Sequence, residues 1–313
     1  MKTLFLWSLL LFSNICYSIK NNELDAVFIP LNKWASQRVL SKAIGQIIEK
    51  SGTPVEYINI SADKQWGAIQ RGVIHFQLEV WEPSMKKEFE SLIASGQIVD
   101  LGTHDAKVIE EWWYPKYVEE LCPELPNWRA LNKCKKLFET SSSNSKGLYY
   151  GGPWNYGDAE IIRALGINYT IGRLTDASEL WDELSLAISN KRPIILLNWS
   201  PNWTDNYISG EFVNFPLYTK KCGTDPEWGL NKKLINDCGN RRNGWLKKAG
   251  SMKLKESFPC VFRLVQNINF TNQMIRDASS LTVVKKLSDD DAAIKWSRLY
   301  ANEIKKWISK TCI

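Results

Sequence analysis

Gly72-Val73-Ile74-His75-Phe76-Gln77-Leu78-Glu79-Val80-Trp81-Glu82-Pro83 decides how the rest of the chain is read. The apolar run from Val73 to Val80 predicts a buried strand ending at Trp81, and the spacing after it predicts a helix from Ser84 to Ala94 that buries Met85, Phe89, Leu92 and Ile93. Gly96 closes that helix, since a residue without Cβ suits a left-handed cap. Residues two apart on a strand share a face, so Glu79 sets a carboxylate beside the indole of Trp81. Such a pair suits a cation.

Upstream lie Ala26-Val27-Phe28-Ile29, then Val39, Leu40, Ala43, Ile44, Ile47 and Ile48 at helical spacing, then Val55-Glu56-Tyr57-Ile58 and a helix near residues 63–71. A further strand is expected at Ile98-Val99-Asp100-Leu101. Strands alternating with helices predict an α/β fold with a parallel sheet and crossovers. After a polar stretch at residues 140–146 a second run begins: Leu148-Tyr149-Tyr150, a helix from Asp158 to Leu165, the segment Tyr169 to Arg173, a helix from Ala177 to Ile188 and a strand from Pro193 to Asn198. Beyond it lie Phe212 to Leu217, a cysteine-bearing loop, a helix around Val261 to Phe270, and a last helix entered through Ser288-Asp289-Asp290-Asp291. That entry is a capping box, and the helix carries Trp296 and Trp307 into the core.

Fifteen tryptophans are more indole than a core needs. Several stand where an apolar run meets a polar loop, at Trp81, at Trp112-Trp113-Tyr114-Pro115, at Gly152-Pro153-Trp154 and at Asn198-Trp199-Ser200-Pro201. In a parallel sheet the ligand sits beyond the carboxyl ends of the strands, where Trp81 and Trp199 are expected. A cage of indole faces is the way to hold a quaternary ammonium, which offers no N–H to hydrogen-bond. Trp66, Trp128 and Trp181 fall among apolar residues in helical stretches and read as core.

The chain opens with Lys2, an apolar run from Leu4 to Phe12, and Cys16-Tyr17-Ser18, the pattern of a secretory signal peptide over residues 1–18. Of seven cysteines, six lie beyond Cys16, an even number that reads as three disulfides in an oxidising compartment. Fifteen pairings are open, with Cys122–Cys134 closing the shortest loop. Sequons at Asn59, Asn168, Asn198, Asn202 and Asn269 are glycan acceptors in a eukaryotic secretory pathway, except that Asn198 ends an apolar run and is expected buried. The expectation is a secreted protein, extracellular or periplasmic. Its net charge of +6 is spread along the chain without a basic stripe, so nucleic acid is not an expected partner.

Catalytic signals are missing. His75 lies in an apolar strand and His104 reads as part of a polar turn, neither with ligand partners at metal spacing. No nucleophile elbow or phosphate-cradling loop occurs. Glu110-Glu111 and Glu119-Glu120 read as solvated helix faces. No cofactor, no metal and no enzymatic activity are expected.

The chain resembles the substrate-binding proteins of glycine betaine, choline and trimethylamine N-oxide ABC transporters, and the likeness covers most of it. It rests on Trp34 after the first strand, on the 72–83 stretch with its Glu-x-Trp, on Trp112 to Val118, on Gly152-Pro153-Trp154 and on Asn198 to Pro201. His75 departs from the pattern, where an acidic residue is usual. The resemblance implies a type II-like, two-lobed periplasmic-binding-protein fold with a hinge between lobes. Residues 24–112 with about 208–313 would form one lobe and about 113–207 the other. It further implies a monomer that clamps a quaternary ammonium or amine-oxide osmolyte and hands it to an ABC transporter permease. Carried over residue by residue, Trp34, Trp81, Trp113 and Trp199 would wall the cage, Glu79 would be its anion, and Trp112 and Trp154 would add further walls. The other reading is a glycosylated extracellular recognition protein, or an enzyme with Glu79 and Glu82 as its acid and base, on the same fold.

Overall fold

The computed structural model describes residues 26–154 and 156–313, so the signal peptide expected at residues 1–18 lies outside the described residues. Among the described residues nine strands run in chain order: β1 Val27–Leu31, β2 Val55–Asn59, β3 Phe76–Trp81, β4 Ile98–Pro115, β5 Gly147–Gly151, β6 Tyr169–Arg173, β7 Leu196–Ser200, β8 Gly210–Phe212 and β9 Gly244–Ser251. Helices fill most of the intervals, notably Ala35–Lys50, Glu82–Ala94, Asp158–Leu165 and Ala177–Ser189. The α/β class follows from this alternation.

The alternation predicts a parallel sheet, but the larger sheet is mixed. β1 pairs β2 in parallel, but the larger sheet runs β3-β9-β4-β7-β5-β6 with β8 also on β4, and every pair along β4 and β9 is antiparallel. Only β5 with β6 and β5 with β7 keep the parallel sense. The physical reason is β9, which returns from the C-terminal third of the chain to lie between β3 and β4. Its Gly-Trp-Leu-Lys-Lys-Ala-Gly-Ser sequence hides its strand character, because Lys248 is buried. That ammonium donates to the carbonyl oxygens of Gln266, at 2.9 Å, and Ile268. Burial pulls its pKa down to about 8.

β4 is the second difference. One strand of 18 residues replaces the short strand, turn and helix face expected there. Its first part pairs β9 up to Val108, and from Ile109 onward it pairs β7 and then β8. One strand therefore serves both halves of the molecule. His104 lies in it rather than in a turn. The ring is 2 % exposed, stacks on Phe270 at 4.6 Å, donates through Nε2 to the Leu78 carbonyl and accepts the Phe270 N–H at Nδ1. Burial, and after it the neighbouring Lys248, holds its pKa down to about 3. Glu110 and Glu111, read as solvated, are buried on the same strand.

Helix Ala35–Lys50 packs β1 against helices Asn272–Val283 and Asp289–Leu299. The last of these is capped as expected by Ser288, whose Oγ accepts the Asp291 N–H at 3.1 Å. The single last helix expected there ends at Leu299, and Trp307 stands on a further helix, Ala301–Ile308; Trp296 and Trp307 are core, while Ile294 and Leu299 face outward. Disulfides join Cys122–Cys134, Cys222–Cys238 and Cys260–Cys312. No helix among the described residues is long and apolar enough to cross a membrane.

Candidate functional site

β3 is buried along its whole length, so the side chains it carries to Trp81 must be satisfied inside the protein. Glu79 does so with one oxygen only; its Oε1 is buried with no hydrogen-bond partner among the described residues. Its Oε2 accepts the indole N–H of Trp34 at 2.7 Å, that of Trp81 at 3.0 Å, and the Ser36 hydroxyl at 3.0 Å. Trp34 stands in extended backbone just before helix Ala35–Lys50, which brings its ring back over the end of β3. The carboxylate thus fixes two rings from behind and does not itself line the hollow in front of them. Desolvation raises its pKa to about 7 against the pull of these three hydrogen bonds.

The hollow is walled by Trp34, Trp81, Trp154 and Trp199, with Met85, Glu110 and Tyr156 completing it. The rings meet edge to face: Trp34 and Trp154 at 6.1 Å and 74°, Trp154 and Trp199 at 5.5 Å and 87°, Trp154 and Tyr156 at 6.1 Å and 78°. Packed edge to face, the rings leave a hollow of only about 10 Å³ between them. Trp199 is set by β7 and by Asn198, whose Oδ1 accepts the Trp199 N–H at 2.8 Å and the Asn202 side-chain amide at 3.0 Å. Asn198 and Asn202 are both about 1 % exposed, so two of the five sequons are inside the protein. Trp181 backs Trp199 at 5.1 Å.

Trp154 rides on the loop after β5, and a cation holds that loop. Arg173 donates through Nη1 to the Trp154 carbonyl at 3.0 Å and reaches the Gly152 carbonyl at 3.5 Å. The same nitrogen pairs with buried Asp158 at 3.0 Å. Asp158 in turn takes the indole N–H of Trp112 at 3.3 Å. Trp112 is therefore not on the wall of the hollow. It lies flat on Tyr149 at 3.9 Å and 7°, one layer behind. Trp113 points from the other face of β4 and covers Gly210, where an added Cβ would overlap its ring.

The polar end of the hollow is a residue the sequence reading placed in solvent. Glu110 accepts the Ser84 backbone N–H at 3.1 Å and the Tyr156 hydroxyl at 2.9 Å, and burial pushes its pKa up to about 7. A signal for it exists: His104, Ala106, Val108 and Glu110 alternate inward along β4. Met85, read as helix core, and Tyr156 carry no such signal. Among the described residues no Lys, Arg or His lines the hollow. A larger, polar cleft of about 530 Å³ opens beside Trp34 and Trp181. Three cations line it: Arg38, paired with Asp289 at 2.7 Å, Lys33, bonded to the Thr175 carbonyl at 2.8 Å, and Lys286.

Four indole rings, Glu110 and Tyr156 thus converge on one small hollow. Residues 25–298 match the family model described as the substrate binding domain of an ABC-type glycine betaine transport system. The chain is 34 % identical over 307 residues to the trimethylamine N-oxide-binding protein of Pelagibacter ubique, covering 94 % of this chain and 95 % of that one. An ABC-transporter choline-binding protein in complex with choline superposes with a TM-score of 0.71 at 16 % identity, over 91 % of this chain and 92 % of the other. A glycine/betaine/L-proline-binding protein from Borrelia burgdorferi gives 0.72 at 15 %, over 90 % and 96 %. These two likenesses show the two-lobed fold.

Proposed function

The chain belongs to the family of substrate-binding domains of ABC-type glycine betaine transport systems, and on that premise we propose that it captures a compact trimethylated amine outside the cytoplasm for a membrane permease, without catalysing a reaction. The observation that carries this reading is the box of Trp34, Trp81, Trp154 and Trp199 with Glu110 at one end. Each indole facing a desolvated cation contributes about 0.5 to 2 kcal/mol, enough together for roughly micromolar affinity once closure has been offset. Glu79 acts by holding Trp34 and Trp81 in place.

The box favours an amine oxide over a betaine. A betaine carboxylate needs a cation or a row of N–H donors, and the lining offers neither charge of that kind. An amine-oxide oxygen needs one strong donor, which a carboxyl with a pKa of about 7 supplies in its neutral form. The Pelagibacter relative, named for trimethylamine N-oxide, agrees with this choice.

Titration calorimetry with trimethylamine N-oxide, choline, glycine betaine and carnitine tests the proposal. Trimethylamine N-oxide is expected to bind most tightly, and Trp81→Ala or Trp199→Ala to weaken it more than roughly tenfold, about 1.4 kcal/mol, with the fold intact by circular dichroism. Binding left unchanged by both substitutions would remove the box from the site.

A further inference from the structure

The segment between β8 and β9 carries a surface whose burial is inverted. Its acid Asp237 is 1 % exposed and accepts the Asn231 backbone N–H at 2.7 Å, beside the buried Cys222–Cys238 disulfide. Its apolar side chains face out instead: Leu217 is 78 % exposed, Leu230 57 %, Leu234 43 %, Ile235 40 % and Tyr218 39 %. These five are a large share of the thirteen exposed large apolar side chains among the described residues. Lys220, Lys221, Lys232 and Lys233 stand exposed among them, against two acids that reach solvent, Glu227 and Asp225, the latter paired with Lys221 at 4.0 Å.

The segment is held in this shape. The Asn236 N–H donates to the Cys222 carbonyl at 2.7 Å, the Gly239 N–H to the Pro216 carbonyl at 2.9 Å, and the Asn231 side-chain amide to the Ala164 carbonyl at 2.9 Å. Asn236 against Cys222 brings the turn at Lys220 and Lys221 alongside Leu234 and Ile235. A disulfide that fixes leucines in water while burying an aspartate does not serve the protein's own core. Clustered lysines also repel a second copy of the same surface. Amines interleaved with aliphatic side chains, four lysines against Asp225 and Glu227, match the interface of a bilayer, where amines meet phosphates and aliphatic groups enter among the acyl chains.

We propose that this stapled segment docks the protein onto an anionic membrane surface. The docking is independent of the solute site, since none of these residues lines the box of indoles.

Vesicle flotation tests it, using phosphatidylcholine alone and phosphatidylcholine mixed with phosphatidylglycerol. The protein is expected to float with the mixed vesicles, to stay behind with phosphatidylcholine alone, and to be released by salt. The variant Lys220→Glu/Lys221→Glu/Lys232→Glu/Lys233→Glu should lower partitioning roughly tenfold or more, and Leu217→Ser/Leu234→Ser/Ile235→Ser should lower it as well. Solute affinity should be unchanged in both, which separates this surface from the proposed solute site. Failure of the unaltered protein to float with mixed vesicles would overturn the proposal, as would variants that float equally well. Binding seen only when the vesicles carry an embedded protein would also overturn it, and would assign the surface to a protein partner.

Discussion

At the scale of single residues, Glu110 decides what the box recognises. Its pKa is raised to about 7 by burial, so the neutral carboxyl persists up to about pH 7 and the charge grows above it. If the neutral form donates to an amine-oxide oxygen, affinity for trimethylamine N-oxide falls as pH rises from about 6 to about 8.5, and calorimetry across that range reads the fall. Glu110→Gln keeps a donor and should flatten the profile. A rise with pH would mean that the carboxylate meets a permanent cation. Arg173 is the second deciding residue, because it ties the carbonyl of Trp154 to buried Asp158. Arg173→Met should weaken solute binding roughly tenfold, about 1.4 kcal/mol, and Arg173→Lys should rescue only part, since an ammonium lacks the planar fork. Calorimetry on the two variants checks this. An indole serves a core and a cage equally well, so sequence could name Trp34, Trp81, Trp154 and Trp199 as candidates yet not separate them from Trp112 and Trp113. Only the stacking of Trp112 on Tyr149 and the cover of Trp113 over Gly210 make that separation.

At the scale of elements, helices and short parallel strands were legible because their apolar periodicity is clean. Helix Asp158–Leu165 and β6 at Tyr169–Arg173 fall where the pattern puts them. β4 was not legible. Gly102, at φ +103°, and shifts of register on either side of Thr103 break its pattern into pieces, and its inward positions include His104 and Glu110. A charged residue that faces inward counts against burial in any hydropathy reading, and β9 hides behind Lys248 for the same reason. The start of helix Asp289–Leu299 was legible from Ser288 and three aspartates, which cap free N–H groups and oppose the positive end of the helix dipole. Ser288→Ala should therefore cost about 1 kcal/mol of stability. Urea unfolding at neutral pH measures it, and an unchanged midpoint would show that Asp289, paired to Arg38, holds the helix start alone.

At the scale of the whole molecule, the two halves share β4 and meet around the box: Trp34 and Trp81 come from one side, Trp154, Tyr156 and Trp199 from the other. Both halves therefore contribute rings, and Lys33 bonded to the Thr175 carbonyl bridges the halves outside them. The disulfides act at this scale through the chain they close in the unfolded state. Cys122–Cys134 and Cys222–Cys238 close separations of 12 and 16 residues, whereas Cys260–Cys312 closes 52 and ties the C-terminal tail after helix Ala301–Ile308 to helix Pro259–Asn267. Loop-closure entropy gives about 3 kcal/mol for each short bridge and about 4 kcal/mol for the long one. Paired serine substitutions, Cys260→Ser with Cys312→Ser, should then lower the free energy of unfolding most, and the Cys222/Cys238 pair should lower it less while loosening the lysine-bearing surface. Equilibrium urea denaturation of the three paired variants orders them. Were the long bridge the cheapest to remove, the helices after residue 259 would be held by packing of Trp296 and Trp307 on Phe270, and the disulfide would be incidental to them.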